Sequence, residues 1–482
     1  MDVTRRIITG LLIISFYSHT FARNPHDEKL SRDFQMAVLN NEPAIHFLDI
    51  QNDNTPQPID TYRNSPKKSW TVIVYMAADN DLRAFAHNNI RQMTNIGSNQ
   101  YVNIAVHMDI RFNNNQKVTR RYYVEKNKIT TVNDKDPNTQ QMDSGDPKTL
   151  VSCCEWAITN YPAENYALIL WNHGTGIIDP KPHKIINPAE LFTFNPHTSK
   201  FDLDRTMGFL DLLYFMDNEE RGICWDNSTG NYLTNAKFES ALQEICQRFL
   251  NNQKFSIIAF DACLMSMLEI ANILKKYSDI MVGSQEVELG TGWNYQQALA
   301  PLADGPIDKY SLAKNIVEAF QRTYSQITND YTQAALDLRY IPRVEYNVHE
   351  VAHILNACIA LQEEQSVIQA IKAARNKRIC THFDEPSYID LYNFYENLEQ
   401  FMRQFRLQRN HELKNQLADA LKDGKTFIQQ AVIANAAGKN LKNAQGISIY
   451  FPENRIHSSY EKTEFASKNN WLSFITEYLK RP

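Results

Sequence analysis

Apolar residues follow two different spacings along this chain. Short, nearly continuous apolar runs occur at 70–76, 102–109, 119–124, 166–171, 256–260 and 279–284. Runs of that length predict strands covered on both faces, as in a parallel sheet. Stretches of helical spacing separate them. Beyond residue 305 the helical spacing dominates, with Leu312, Ile316, Ala319 and Phe320, and again with Leu413, Leu417 and Leu421. A late apolar run at 446–451 predicts a strand that rejoins a sheet. The alternation predicts an α/β fold with a mostly parallel sheet and a helix-rich C-terminal region. There is no internal repeat and no long low-complexity tract.

Two strand ends carry chemistry. The run Ser256 to Phe260 passes into Asp261-Ala262-Cys263 and then into a helical pattern. A thiol at a helix start gains from the unpaired backbone N–H groups there, which favour the thiolate. The run Tyr166 to Trp171 ends in Asn172-His173-Gly174-Thr175-Gly176. In open α/β sheets, sites form outside the carboxyl ends of strands. Cys263 and His173 therefore make a candidate nucleophile and base. If the strand stays extended through Ala262, Asp261 and Cys263 share a face. A carboxylate in direct contact with the thiol would oppose its ionisation. Asp261 makes better sense at the base of a pocket for a cationic substrate group.

Other residues near these ends are candidates too. Asp79, Asn80 and Asp81 follow the first strand at the same sheet edge. Asn80 is placed to orient His173 or line the pocket, unless the three residues only form a turn and cap a helix. Glu286 and Glu288 follow another strand and could add acid to the pocket. Trp293 could form one of its walls.

These pieces also resemble the clostripain family of cysteine peptidases, in the clan of caspases, legumain and gingipains. The matching segments are Trp70 to Leu82, Leu170 to Gly174, Ile258 to Met265, Gly283 to Glu286 with Gly292 to Tyr295, and Gly446 to Pro452. They stand in family order from about residue 70 to the C-terminus. The resemblance implies a caspase-like three-layer α/β/α sandwich and a His173–Cys263 dyad. It implies Asp261 in the pocket for the residue before the scissile bond, and cleavage after Arg with Lys second. It also implies an oxyanion hole from the backbone N–H groups of Gly174 and Cys263. Some family members depend on calcium. No EF-hand-like loop is visible here, so no cofactor is required by the residues and Ca2+ stays open.

Composition adds bounds. Hydrophobic residues make up 43% and charged residues 22%, which is ordinary for a globular chain. A formal net charge of −5 gives no basic footprint for nucleic acid. Arg5 and Arg6, the apolar stretch Ile7 to Tyr17, and Thr20-Phe21-Ala22 read as a signal peptide over 1–22. The apolar stretch is too short for a stable membrane anchor, which needs about 20 residues. Export, secreted or periplasmic, follows as the expectation. Residues 23–69 are polar and read as a propeptide or linker, with Lys67-Lys68 as a candidate processing site. The catalytic core is expected over 70–304 and the helix-rich region over 305–482.

The seven cysteines fit one reactive thiol and six others. Their spacing supports neither particular disulfides nor a zinc site. Cys246 falls on an apolar helix face with Phe238, Leu242 and Phe249, and reads as core. Residues 177–222, between the dyad residues, are rich in Pro and charge with little strand character. Family members often cut themselves in this region, and Lys200, Arg205 and Arg221 match the expected specificity. The expected form is a monomer or a processed two-chain pair acting on protein or peptide substrates with Arg or Lys. Two alternatives stand beside this. One is a protease of the same fold with Asn specificity, which would not need a buried anion. The other is a non-catalytic secreted binding module, which would tolerate loss of the thiol or imidazole.

Overall fold

The computed structural model describes residues 66–111, 116–132, 141–179, 191–205, 222–361, 364–404 and 411–481. The expected signal peptide and most of the expected propeptide lie outside these residues, as does Arg221. A nine-stranded sheet runs in the order β14-β12-β11-β10-β5-β1-β2-β3-β4. Its strands are β1 (Lys68–Ala78), β2 (Val102–Arg111), β3 (Lys117–Glu125), β4 (Lys128–Thr131), β5 (Ala163–Trp171), β10 (Phe255–Asp261), β11 (Ser278–Gly283), β12 (Thr332–Asp337) and β14 (Val432–Ala437). Pairs β1–β2, β1–β5, β5–β10 and β10–β11 are parallel. Antiparallel pairs β2–β3, β3–β4, β11–β12 and β12–β14 extend the two sides. The architecture is α/β with a mostly parallel central sheet, as the alternation of patterns predicts.

The central strands are covered on both faces. Every residue of β10 is buried, and so are nine consecutive residues of β1. A fully buried Ile or Val side chain contributes roughly 1.5–3 kcal/mol, so unbroken apolar runs hold this sheet better than alternation would. Helix Lys309–Tyr324 buries Leu312, Ile316, Ala319 and Phe320, and the Asp308 side chain caps it through the N–H groups of Tyr310 and Ser311. Cys246 is buried on helix Asn235–Arg248 with Phe238 and Leu242. All seven cysteines are buried free thiols, so none of the admissible disulfides is present.

Three differences from the sequence expectation matter. Lys68 already belongs to β1, and its ammonium donates to the Val102 carbonyl oxygen at 3.3 Å and the Tyr123 hydroxyl at 3.2 Å. Cleavage at Lys67-Lys68 would enter the first strand. Beyond residue 305, β12 and β14 join the main sheet, so that sheet continues past the expected boundary at 304. Their Ala-rich sequences, TQAALD and VIANAA, lack the β-branched density that marks the other strands. The late strand, β15 (Ser448–Tyr450), rejoins a sheet as expected, the two-stranded one it forms with β13 (Tyr388–Asp390). The insertion also holds more strand than its composition suggests. Hairpin β6 (Phe192–Asn195) and β7 (Lys200–Leu203) lies inside it, and β8 (Ile223–Asp226) pairs with β9 (Asn231–Leu233) just after it.

Topology places the site. From β1 the chain steps one way to β2, and later returns on the other side of β1 as β5. Right-handed crossovers then put the intervening helices on opposite faces and open a crevice at the carboxyl ends of β1 and β5. Asp79-Asn80-Asp81 leaves β1 there, His173 leaves β5, and Cys263 leaves β10 beside it.

Candidate active site

Strands β5 and β10 end side by side, with Trp171 in register with Asp261. The Asn172 N–H donates to the Asp261 carbonyl oxygen at 3.3 Å, so the two chains leave the sheet together. His173, Asp261 and Cys263 line one small cavity with Leu82, Asn172 and Glu288. Gly174 lies where the two loops touch. A Cβ there would sit 2.6 Å from the Cys263 carbonyl oxygen, so only glycine permits this approach.

Cys263 is 4% exposed. Its sulfur accepts the Glu288 N–H at 3.3 Å. The next residue, Leu264, takes a φ of +62° and donates its N–H to the Glu286 carbonyl oxygen at 3.2 Å. A left-handed leucine is strained and persists only where neighbours hold it, a pattern that clusters at functional sites. The following helix begins at Leu268, well past Cys263. This corrects the helix-start argument: no helix N-terminus stabilises a thiolate here. Burial pushes the thiol well above its ordinary value. The Glu288 N–H opposes that, while the charges of Glu288, Asp384 and Glu286 add to it.

Asp261 is 5% exposed and ends β10. Its Oδ1 accepts the Trp293 N–H at 3.1 Å and its Oδ2 accepts the Tyr295 hydroxyl at 2.8 Å. Gly292 makes this possible, because its φ of +63° turns the chain and a Cβ would fall 2.7 Å from Asp261 Oδ2. Burial raises the Asp261 carboxyl to about 7, against the hydrogen bonds from Tyr295 and Trp293. Glu288 is buried as well, and neither of its carboxylate oxygens has a hydrogen-bond partner of ordinary geometry. Burial, and then the neighbouring Asp261 charge, raise it well above the usual carboxylate range. Two buried carboxyls thus meet at one cavity, where each disfavours ionisation of the other.

The clostripain family model matches residues 74–187 and 212–478, the larger part of the chain. The chain belongs to the clostripain family of cysteine peptidases. Clostripain of Hathewaya histolytica is 26% identical over 250 residues, which cover 47% of this chain and 41% of that protein, so the chain spans less than half the length of this relative. The fold is that of a secreted C11 cysteine protease from Bacteroides thetaiotaomicron in complex with an irreversible peptide inhibitor. That likeness has a TM-score of 0.55 and 19% identity, over 84% of this chain and 99% of that one. An inactive zymogen C11 protease from Parabacteroides distasonis matches with a TM-score of 0.53 and 18% identity, over the same shares.

Within this clostripain-family site, several expected roles move to neighbouring residues. Asn80 neither orients His173 nor lines the cavity. Its amide donates to the carbonyl oxygens of Ala77 and Trp225, and its Oδ1 accepts the Leu82 N–H, so it is a turn clamp. Asp81 holds the imidazole instead, with Oδ1 2.8 Å from His173 Nε2. Glu286 is fully buried but faces Arg205, not the cavity, because β11 ends at Gly283 and the chain bends at 285–286, so the two-residue alternation of a strand does not carry over to Glu286 and Glu288. The acid at the cavity is Glu288. Trp293 contributes its backbone N–H to Asp261, and its ring packs on Tyr295, 6.0 Å between centroids, rather than forming a cavity wall. Tyr295 and Gly292 escaped the reading of roles, although both stand in the Gly292 to Tyr295 segment that carried the resemblance.

The imidazole's carboxylate partner gives a first expected result. Asp81→Asn keeps the shape of the turn but removes the charge that orients the ring. It should lower kcat on the order of 10²-fold or more, with KM little changed. Steady-state kinetics on a peptidyl-Arg amide checks this, and a wild-type kcat would sink the orienting role.

Proposed function

We propose that this chain is an exported cysteine endopeptidase that cleaves after Arg, with Lys second, through Cys263 and His173. The observation that carries the reading is the pair Asp261 and Glu288 at the cavity beside the thiol. A guanidinium entering there would satisfy both carboxylates. It would also relieve the like charge that opposes ionisation of Cys263. Cys263 Sγ then attacks the carbonyl carbon and forms an acyl-enzyme. His173 gives a proton to the leaving amine and afterwards takes one from the water that deacylates. The N–H groups of Gly174 and Cys263 serve as the oxyanion hole.

Nothing in this chemistry calls for a cofactor. Among the described residues, no group of three or more His, Cys, Asp or Glu is arranged to hold a metal ion, and no helix is long and apolar enough to cross a membrane. A neutral Asn side chain would leave the buried carboxyls without a counter-charge, which disfavours Asn specificity. A pure binding module would have no use for a thiol, a carboxylate-paired imidazole and an acidic cavity in one crevice.

Self-processing belongs to the same proposal. Lys200 lies in β7 with its ammonium on the Ser325 carbonyl oxygen at 2.8 Å and Asn329 Oδ1 at 3.0 Å, so a cut there would have to open a hairpin. Arg221 is the favoured site. The strand that follows is stitched to the sheet end, because the Asn227 N–H donates to the Asp79 carbonyl oxygen at 2.8 Å and the Trp225 N–H to Asn172 Oδ1 at 3.0 Å. Two chains would therefore stay associated, and a monomeric two-chain enzyme is the expected form.

Hydrolysis of matched Arg, Lys, Asn and Asp peptidyl amides tests the reading, with chain integrity followed on a gel and with EGTA present or absent. Arg and then Lys cleavage by a two-chain form, unchanged by EGTA, is the expected outcome. One intact, fully active chain would sink the processing proposal. No turnover of any reporter, even after tryptic nicking and added calcium, would favour the binding module.

A further inference from the structure

Among the described residues, Arg205 of the insertion pairs with a carboxylate of the segment that touches Cys263, and the chemistry above does not use it. Arg205 follows β7, and its Nη2 lies 2.7 Å from Glu286 Oε2 and 3.5 Å from Asp330 Oδ1. Glu286 is fully buried, and its Oε1 accepts the N–H groups of Val287 at 2.9 Å and Asp384 at 2.8 Å. Among the described residues, Arg205 is the cation paired with this carboxylate. A buried carboxylate that loses its cation is left strongly disfavoured, and the structure around it must change or take up a proton.

The Glu286 backbone is wired to the nucleophile. Its carbonyl oxygen accepts the Leu264 N–H, which holds the strained residue after Cys263. Two residues on, the Glu288 N–H donates to Cys263 Sγ. Any shift of the 286–288 segment therefore moves both the thiol and the turn that carries it.

We propose that Arg205 is a positioning residue for Cys263: by pairing with Glu286 it fixes the 286–288 backbone against the thiol, and it is retained uncut. The proposal rests on Cys263 being the nucleophile. A cut after Arg205 would need its guanidinium in the Asp261–Glu288 cavity, and one side chain cannot occupy both places. When the chain is cut further on, the first chain then keeps a latch beside the site, contributed by the insertion itself.

The test compares full-length wild type, R205M, R205K, E286Q and R205M/E286Q by chain mass, thermal melting and steady-state kinetics on a peptidyl-Arg amide. R205M should give the same two chain masses as wild type. Its kcat should fall on the order of 10²-fold, the scale of a slightly misplaced reacting group, and KM should rise as well, because Glu288 of the same segment lines the cavity. R205K should recover part of the loss. R205M/E286Q should recover a measurable part of it, because Glu286 is then no longer a lone buried charge and only Asp330 still lacks its cation, while the glutamine Oε1 still accepts the two N–H groups. If R205M does not fold, the double variant decides the matter by its melting and activity. A folded R205M with wild-type kcat overturns the proposal. So does a double variant that folds but stays as slow as R205M. So does a processing pattern lost in R205M and restored in R205K, which would make Arg205 the cut site. Hydrolysis that survives in Cys263→Ala would remove the underlying reading instead, and is separable from all of these.

Discussion

Cys263→Ala is expected to abolish cleavage of peptidyl-Arg amides, lowering kcat/KM on the order of 10⁵-fold or more. The substitution removes the atom proposed to form the acyl-enzyme, while the cavity proposed to bind the guanidinium keeps Asp261 and Glu288. Binding of an Arg-containing inhibitor should therefore survive the loss of turnover. The fold should survive too, because the change removes one sulfur from a buried site and leaves the Glu288 N–H without its acceptor, an effect of about 1–3 kcal/mol. The same variant should remain a single chain if processing is self-catalysed. Residual turnover at wild-type rates, measured on protein free of other peptidases, would exclude Cys263 as the nucleophile.

Asp261→Asn and Glu288→Gln should each cut kcat/KM for Arg substrates by roughly 10²–10³-fold, the scale of losing one partner of a buried charge pair. The loss should concentrate in KM for Arg and Lys, and slow reporters with neutral residues should change little. The pH dependence has a definite sign. Burial raises Asp261 from 3.8 to about 7, and a bound guanidinium favours the ionised form. KM for an Arg reporter should therefore fall as pH rises through about 7 and level off above it, with this limb altered in Asp261→Asn. Folding carries the opposite sign. A carboxyl raised by the fold supports stability at pH below its unfolded value, and that support is lost as pH rises toward 7. Melting temperatures of the empty enzyme should drift down across that window, less so in Asp261→Asn. A pH-independent KM, or equal losses for Arg and neutral reporters, would rule out the acidic cavity as the source of specificity.

Much of this was legible in the sequence for a simple reason. Parallel strands covered on both faces demand unbroken apolar runs, so β1, β2, β5, β10 and β11 announced themselves, and the residues at their ends followed from strand direction. β12 was missed because its small alanines are buried by context and not by propensity, and β14 because it is an edge strand in which only Ala436 is buried. β15 was expected to rejoin a sheet and does so, but which sheet was not legible, since an apolar run says that a strand is covered and not by what.

The sequence by itself determined the α/β class, the placement of His173 and Cys263 at the carboxyl ends of two buried strands, and an acid at Asp261 two positions before the thiol; that the two strands are neighbours came from the fold. Tertiary structure decided the rest. It chose Asp81 over Asn80 at the imidazole, because the turn after β1 folds the amide back onto Ala77 and Trp225. It chose Glu288 over Glu286 at the cavity, because Arg205 arrives from the insertion to claim Glu286. It moved the helix away from Cys263 and put a strained leucine in its place. Strand ends are local, and their direction can be read along the chain. Which carboxylate meets which cation depends on segments distant in sequence, and only the folded packing brings those together.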